Sequence, residues 1–230
     1  MIAVVLAGGL GTRLHPFTQV IPKPLLPIGE KSVMEIQLSH LRDHGFTDVV
    51  IATNYKSELV ESYFGDGSKW GVRLRFSKEE QPLGTAGPLA LLKSELRDPF
   101  LVLNGDILTN MDFAALLAHH RRLGVALTVG TKELHYPLRY GNVRCEGERL
   151  LGIDEKPDLS IEIVAGIYGM SPEALDCIPE RTNFGMDGLI HALLKQGRPV
   201  GVYRITDYWL DIGQLDDFEH AQAAYDKHFK

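Results

Sequence analysis

The 230-residue chain contains only two cysteines, Cys145 and Cys177, without CxxC spacing. A disulfide framework is therefore not expected, and with no dense His/Cys cluster among the nine histidines no zinc site is expected either. The chain also lacks an excess of positive charge. Its 24 Lys and Arg against 30 Asp and Glu leave a formal net charge of −6, so the basic footprint of a nucleic-acid binder is missing. An anionic ligand would have to be met by local positive charge. Long apolar runs are absent too: Ile2 to Ala7 stops at Gly8 and Gly9, too short for a signal peptide or a membrane span. A cytoplasmic protein with neither nucleic acid nor membrane as partner is expected. Finally, there is no internal repeat, no low-complexity tract and no hexapeptide repeat, so the chain is not expected to contain a left-handed β-helix.

What remains is 44% apolar residues, enough for a sizeable core, arranged in alternating periodicities. Ile2 to Leu6 reads as a buried strand feeding a Gly- and Pro-rich loop from Ala7 to Gly29. Ser32 is a plausible N-cap for a helix carrying Met34, Leu38 and Leu41, with Gly45 as its stop. Strands near Val49 to Ala52, Val72 to Phe76 and Phe100 to Leu103 alternate with helices near Lys56 to Phe64 and Ala86 to Lys93. A helix from Asp112 to Arg122 and a strand from Val125 to Gly130 follow. Tyr140 to Cys145 and Arg149 to Asp154 flank a Glu146-Gly147 turn as a hairpin. Ile161 to Tyr168 and Val200 to Arg204 read as strands, Met186 to Lys195 and Gln214 to His228 as helices. This order predicts an α/β fold: a Rossmann-like, mainly parallel sheet flanked by helices, with a small β-hairpin subdomain.

Four motifs carry chemistry. The first is Leu6-Ala7-Gly8-Gly9-Leu10-Gly11-Thr12-Arg13-Leu14, with Pro22-Lys23-Pro24 shortly after. It fits neither GxGxxG nor GxxxxGK[ST]. Glycines after a strand let backbone N–H groups approach phosphate oxygens, and Arg13 and Lys23 supply positive charge; glycines alone would equally make a plain turn. The second is Phe100 to Asp106, an apolar strand ending in Asn104-Gly105-Asp106, where open α/β sheets collect ligands. Asp211, in Trp209-Leu210-Asp211-Ile212-Gly213, is a candidate partner, since Mg²⁺ takes one or two carboxylates and leaves its other positions to water and phosphate. Turn formation by Asp106 and capping of the last helix by Asp211 are the competing readings. The third is Glu79 to Gly87, lying between a strand and a helix; the fourth comprises Arg139 to Val143, Asp154 to Pro157 and Val164 to Tyr168.

Taken together, the strings Gly-Gly-x-Gly-Thr-Arg-Leu-x-Pro-x-Thr and Pro-Lys-Pro-Leu-x-Pro-Ile resemble the signature of the sugar-1-phosphate nucleotidylyltransferase family. The likeness runs from Ile2 to the last helix, with the motifs in the family's order. It implies a single domain over 1–230, with a nucleotide-binding part about 1–110, a sugar-phosphate-binding part about 111–213 and a closing helix at 214–228. It also implies that Leu6, Ala7, Gly8, Gly9, Gly11, Thr12, Asn104 and Gly105 bind nucleotide, with Glu79, Gly84 and Thr85 at the base. Arg13 and Lys23 would hold and polarise phosphates, and Asp106 and Asp211 would share a catalytic Mg²⁺, with Mn²⁺ as substitute. Gly141 and Gly166, with Ala165 beside it, would approach the sugar. Glu155 would take its hydroxyls and Lys156 its phosphate, as an adjacent pair on opposite pleats could do.

Glu79 stands where uridylyl- and thymidylyl-transferring members often carry glutamine. A carboxylate can accept from both N1–H and the amino group of guanine, which favours GTP; uracil has one N–H to offer, and Glu79-Glu80 could also be a solvated charge pair. The short length, the Leu83-Gly84-Thr85-Ala86-Gly87 loop and the missing β-helix resemble most the short guanylyltransferases of D-glycero-D-manno-heptose 1-phosphate, with mannose-1-phosphate guanylyltransferases next. Gln81 and Gln214 depart from those short enzymes, which often have an acidic residue and a threonine there. The implied partners are an NTP and a sugar 1-phosphate; any of several amphipathic helices could form an interface, and a homodimer is the expectation. A uridylyl- or cytidylyltransferase and a catalytically silent regulatory paralogue are the other readings.

Overall fold

A computed structural model describes residues 1–54 and 56–230. Its strands are β1 (Ile2–Leu6), β2 (Pro27–Ile28), β3 (Lys31–Ser32), β4 (Asp48–Thr53), β5 (Arg73–Lys78), β6 (Phe100–Asn104), β7 (Ile107–Thr109), β8 (Leu127–Pro137), β9 (Asn142–Glu146), β10 (Arg149–Asp154), β11 (Asp158–Met170), β12 (Val200–Arg204) and β13 (Trp209–Asp211). The α-helices are α1 (Phe17–Val20), α2 (Val33–Asp43), α3 (Ser57–Phe64), α4 (Gly87–Ala90), α5 (Phe113–Leu123), α6 (Met186–Lys195) and α7 (Leu215–His228). Seven strands form one sheet in the order β12-β8-β11-β6-β1-β4-β5, all parallel except β11, which runs antiparallel to both neighbours. This is the expected Rossmann-like, mainly parallel arrangement.

Both faces of the sheet are covered, which is why β1, β4 and β6 are near-continuous apolar runs rather than alternating ones. Met34, Leu38 and Leu41 of α2, Val60 and Phe64 of α3 and Leu116 and Leu117 of α5 cover one face. Leu89 of α4 and Met186, Leu189 and Leu193 of α6 cover the other. A third cluster holds α7 over the glycine-rich loop, with Tyr225 and Ala221 against Leu14, Leu26 and Ile28. The N-terminus of α2 is fixed by a reciprocal capping box: Glu35 N donates to Ser32 Oγ at 3.2 Å and Ser32 N to Glu35 Oε2 at 2.6 Å. Such a cap is worth about 1 kcal/mol.

The structure departs from the sequence expectations in several places. The helix expected over Ala86 to Lys93 is regular only at Gly87–Ala90. There Pro88 occupies the first turn, and the Ala86 and Gly87 N–H groups donate outward to Phe184 O at 2.9 and 3.0 Å. The Ala7 to Gly29 loop is less irregular than expected, containing α1, two short 3₁₀ turns and strand β2, which pairs with β3. Strands β8 and β11 outrun the sheet: β12 pairs with β8 only up to Thr131 and β6 with β11 only from Ile167. Their distal halves form an exposed antiparallel arm ending in the expected β9–β10 hairpin. Finally, β7 and β13 pair antiparallel beside the main sheet, a ladder that three-residue apolar runs do not announce.

Candidate active site

The carboxyl ends of β1, β4, β5 and β6 open onto a cavity of about 450 Å³. Every residue expected to bind nucleotide lines it: Leu6, Ala7, Gly8, Gly9, Gly11 and Thr12 from the loop after β1, Glu79, Gly84 and Thr85 after β5, and Asn104 and Gly105 at the end of β6. The loop is stapled at Gly11, whose positive φ of 64° suits glycine, by Thr18 Oγ1 donating to Gly11 O at 2.7 Å. Gly105 lies under Leu6: a Cβ there would stand 2.9 Å from the Leu6 carbonyl, so a side chain would push the two loops apart.

Arg13, Lys23 and Asp106 all line the cavity. Asp106 follows β6 in the tight turn to β7, and the Lys23 ammonium is paired with its Oδ2. The β7–β13 ladder brings Asp211 opposite Ile107, and Ile212 N donates to Asp106 O at 3.0 Å, so the two aspartates are neighbours. Burial pushes the Asp211 carboxyl up to about 6, with the Asp106 charge adding to it and Lys23 and Arg13 opposing. Asp106 Oδ1 and Asp211 Oδ1 are buried with no hydrogen-bond partner among the described residues. Two hard oxygens in that condition fit a divalent cation such as Mg²⁺. Capping of the last helix falls to Asp217 instead, whose Oδ2 accepts from Gly213 N at 3.2 Å and Gln214 N at 2.8 Å. Asp211 is thereby left out of the cap.

Glu79, which also lines the cavity, is half-buried, and its Oε2 accepts from Leu83 N at 2.9 Å. Burial raises its carboxyl above the usual carboxylate value, with the Leu83 bond opposing. It is not a solvated member of a Glu-Glu pair. A Cβ on Gly8 would come within 2.6 Å of Glu79 Oε1, so the glycine gives the carboxylate its room.

The expected sugar-side residues fall into two groups. Gly166, at positive φ of 69°, lies in the irregular stretch of β11 between Val164 and Tyr168, and a Cβ on it would meet Asn104 Nδ2 at 2.6 Å. Ala165 is buried beside it, its carbonyl accepting from Trp209 Nε1 at 2.8 Å. Gly141 and Glu155 face each other on the exposed arm, Glu155 Oε2 standing 3.1 Å from a Cβ built on Gly141. Glu155 and Lys156 are not on opposite pleats of a strand, contrary to expectation. They lie in the bend after β10, with Lys156 at φ 46°, because the chain must turn there from the hairpin into β11. None of Gly141, Glu155, Lys156, Ala165 and Gly166 lines the cavity, and nor does Asp211.

Four contributors escaped the sequence reading. Gln37, buried on α2, donates to Asn104 O at 3.0 Å and Ile107 O at 2.8 Å, bracing the turn that carries Asp106. A lone amide among Met34, Leu38 and Leu41 was the available signal. Gly213 lies against the Arg13 guanidinium. Asn54, one residue beyond β4, lines the cavity beside Gly8, and its Nδ2 has no partner among the described residues. Asn183 reaches the same cavity from about 100 residues further along the chain.

A family model described as Nucleotidyl transferase matches residues 2–228. The mannose-1-phosphate guanylyltransferase catalytic subunit beta of Dictyostelium discoideum is 36% identical over 233 residues, covering 98% of this chain and 64% of that protein. A UTP–glucose-1-phosphate uridylyltransferase of Synechocystis is 36% identical over 241 residues, covering 96% of the chain and 62% of that protein. The chain thus spans less than two thirds of the length of these relatives. The crystal structure of HddC from Yersinia pseudotuberculosis complexed with GMP-PN superposes with a TM-score of 0.76 at 25% identity, covering 97% of this chain and 99% of that one. No helix among the described residues is long and apolar enough to cross a membrane.

Proposed function

The chain belongs to the nucleotidyl transferase family, and we propose that it transfers a guanylyl group from GTP to a sugar 1-phosphate, releasing pyrophosphate. The observation that carries the reading is the pair Asp106 and Asp211, each with a buried unpartnered oxygen, set beside Lys23 and Arg13 at the mouth of a glycine loop. Arg13 and Lys23 balance Asp106 and Asp211 one for one, so these four groups alone offer a triphosphate no excess positive charge. Bound Mg²⁺ would be held by the two aspartates and supply that excess. The sugar-phosphate oxygen attacks the α-phosphorus of the nucleotide. A new P–O bond forms as the bond to the bridging oxygen breaks, and pyrophosphate carries away the electron pair. Arg13 and Lys23 orient the phosphates and offset the charge building on the leaving group. No protein nucleophile is needed.

Glu79 supports guanine, since a half-buried carboxylate beside the base position can accept from N1–H and the amino group together. The HddC structure complexed with GMP-PN holds a guanine nucleotide analogue on the same fold. For the sugar, the Leu83-Gly84-Thr85-Ala86-Gly87 loop resembles that of the short heptose-phosphate guanylyltransferases, and D-glycero-D-manno-heptose 1-phosphate is the proposed acceptor. Mannose 1-phosphate is the second reading, favoured by the Dictyostelium relative. Pyrophosphate release with Mg²⁺, measured for ATP, CTP, GTP, UTP and dTTP against both sugar phosphates, tests the whole. Turnover with GTP and either sugar upholds guanylyl transfer and names the sugar. Turnover only with UTP discards the base assignment, and silence throughout, with product still bound, indicates a regulatory paralogue.

A further inference from the structure

We infer that Asn183 reads the exocyclic amine of the base, as a second acceptor beside Glu79. The inference rests on the guanylyl reading and adds a residue to it. Segment 181–186 is laced onto segment 81–87: Gln81 Nε2 donates to Arg181 O at 3.0 Å, Phe184 N to Leu83 O at 2.8 Å, Ala86 N and Gly87 N to Phe184 O at 2.9 and 3.0 Å, and Met186 N to Thr85 Oγ1 at 2.8 Å. A remote piece of chain is thus built into the wall of the nucleotide cavity, where Asn183 is one of the lining residues.

The orientation of that side chain is determined chemically. Its Nδ2 donates to the Pro82 carbonyl at 3.1 Å, and a carbonyl can only accept, so the amide is fixed with Oδ1 on the other side. Oδ1 stands 3.2 Å from the point where a Cβ on Gly84 would sit, above the glycine that gives a base access to the backbone. On the neighbouring residue, Leu83 N holds the Glu79 carboxylate. Two acceptors therefore flank the Leu83-Gly84 peptide. Such a wall suits a base that presents a ring N–H next to an amine, as guanine does, and gains less from uracil, which has a single N–H. Hypoxanthine keeps the ring N–H and the O6 carbonyl of guanine and lacks only the amine, which makes it the discriminating probe.

Binding of GTP and ITP to the wild type, Asn183→Ala and Asn183→Asp, measured by calorimetry without sugar phosphate, tests the assignment. The wild type is expected to prefer GTP to ITP. Asn183→Ala should weaken GTP by roughly 2- to 12-fold, the worth of one neutral hydrogen bond, while leaving ITP within about 2-fold. Asn183→Asp keeps an acceptor oxygen but loses the donation to the Pro82 carbonyl that positions it, so it should bind both nucleotides more weakly than the wild type while still favouring GTP over ITP. If Asn183→Ala lowers GTP and ITP equally, or retains the full preference, the assignment to Asn183 is overturned while guanylyl transfer stands. A wild type that binds UTP in place of GTP overturns both.

Discussion

The two aspartates make a prediction about stability that is separable from catalysis. Asp211 in the folded protein titrates near 6 against an ordinary value near 3.8, because it is buried and faces the charge of Asp106. A carboxyl whose folded value is raised contributes stability that is fully present below the unfolded value and is lost as pH rises through 6. A shift of about two units corresponds to roughly 3 kcal/mol, and partial exposure of the site screens this to about 1–2 kcal/mol. Asp211→Asn removes the charge and keeps the shape. In the nucleotide- and metal-free protein at pH 8 it should therefore stabilise by about 1–2 kcal/mol, raising Tm by roughly 2–8 °C for a chain of this size. The gain should fall to about half at pH 5 and fade near pH 3. Denaturant and thermal melts of both proteins across that range measure it. A variant less stable than wild type at pH 8, or a gain that grows on acidification, would refute the reasoning. The same substitution should abolish metal-dependent pyrophosphate release.

Arg13→Ala should lower kcat by about 10²–10³, as loss of one preorganised charge contact does, with little change in the melt, and steady-state pyrophosphate release reads it. Removing Mg²⁺ with EDTA should stop turnover yet leave circular dichroism unchanged, because the turn bearing Asp106 is held by Gln37, by the Ile212 N–H and by the Lys23 ion pair. Glu79→Gln should shift nucleotide preference from GTP towards UTP, read as a ratio of kcat/KM values. Gly84→Ala should destabilise by at least about 1–2 kcal/mol, since φ is 78° there. Its Cβ would also meet the Phe184 carbonyl at 2.7 Å, so nucleotide affinity should fall with stability.

The parallel sheet was legible because each apolar run of the first half ends in glycine or a polar residue and is followed by a helical period, as Val49 to Ala52 and then Lys56 to Phe64 illustrate. The cavity residues were legible through the family signature they resemble, although the demands on its glycines differ: Gly11 needs a positive φ of 64°, whereas a Cβ on Gly8 or Gly105 would strike Glu79 or the Leu6 carbonyl, contacts remote in sequence. Contacts between remote segments were not legible. Asn183 lies in a stretch with no periodicity, and its place beside Gly84 depends on backbone bonds between positions about 100 residues apart. The proximity of Asp211 to Asp106 was inferred from resemblance alone, since a three-residue strand such as β13 has too few residues to show a period. The Glu155-Lys156 pair was misplaced because hydrophobic alternation along Arg149 to Asp154 gives no sign that the chain turns at its end.

The destabilising site explains why so much structure converges behind it. Two buried carboxylate oxygens without partners each carry a cost on the order of 1–3 kcal/mol, and like charges held together add to it. The turn bearing Asp106 would relax away from Asp211 if it were free to move. It is held by Gln37 from α2 on one side and by the Ile212 N–H on the other, at 2.8–3.0 Å, while Lys23 supplies the only cation paired with Asp106 among the described residues. A buried glutamine on an otherwise apolar helix face is a poor choice for packing alone. Its two bonds reach the carbonyls that bracket the Gly105-Asp106 turn, so its position follows from the need to hold that turn against the repulsion at its tip.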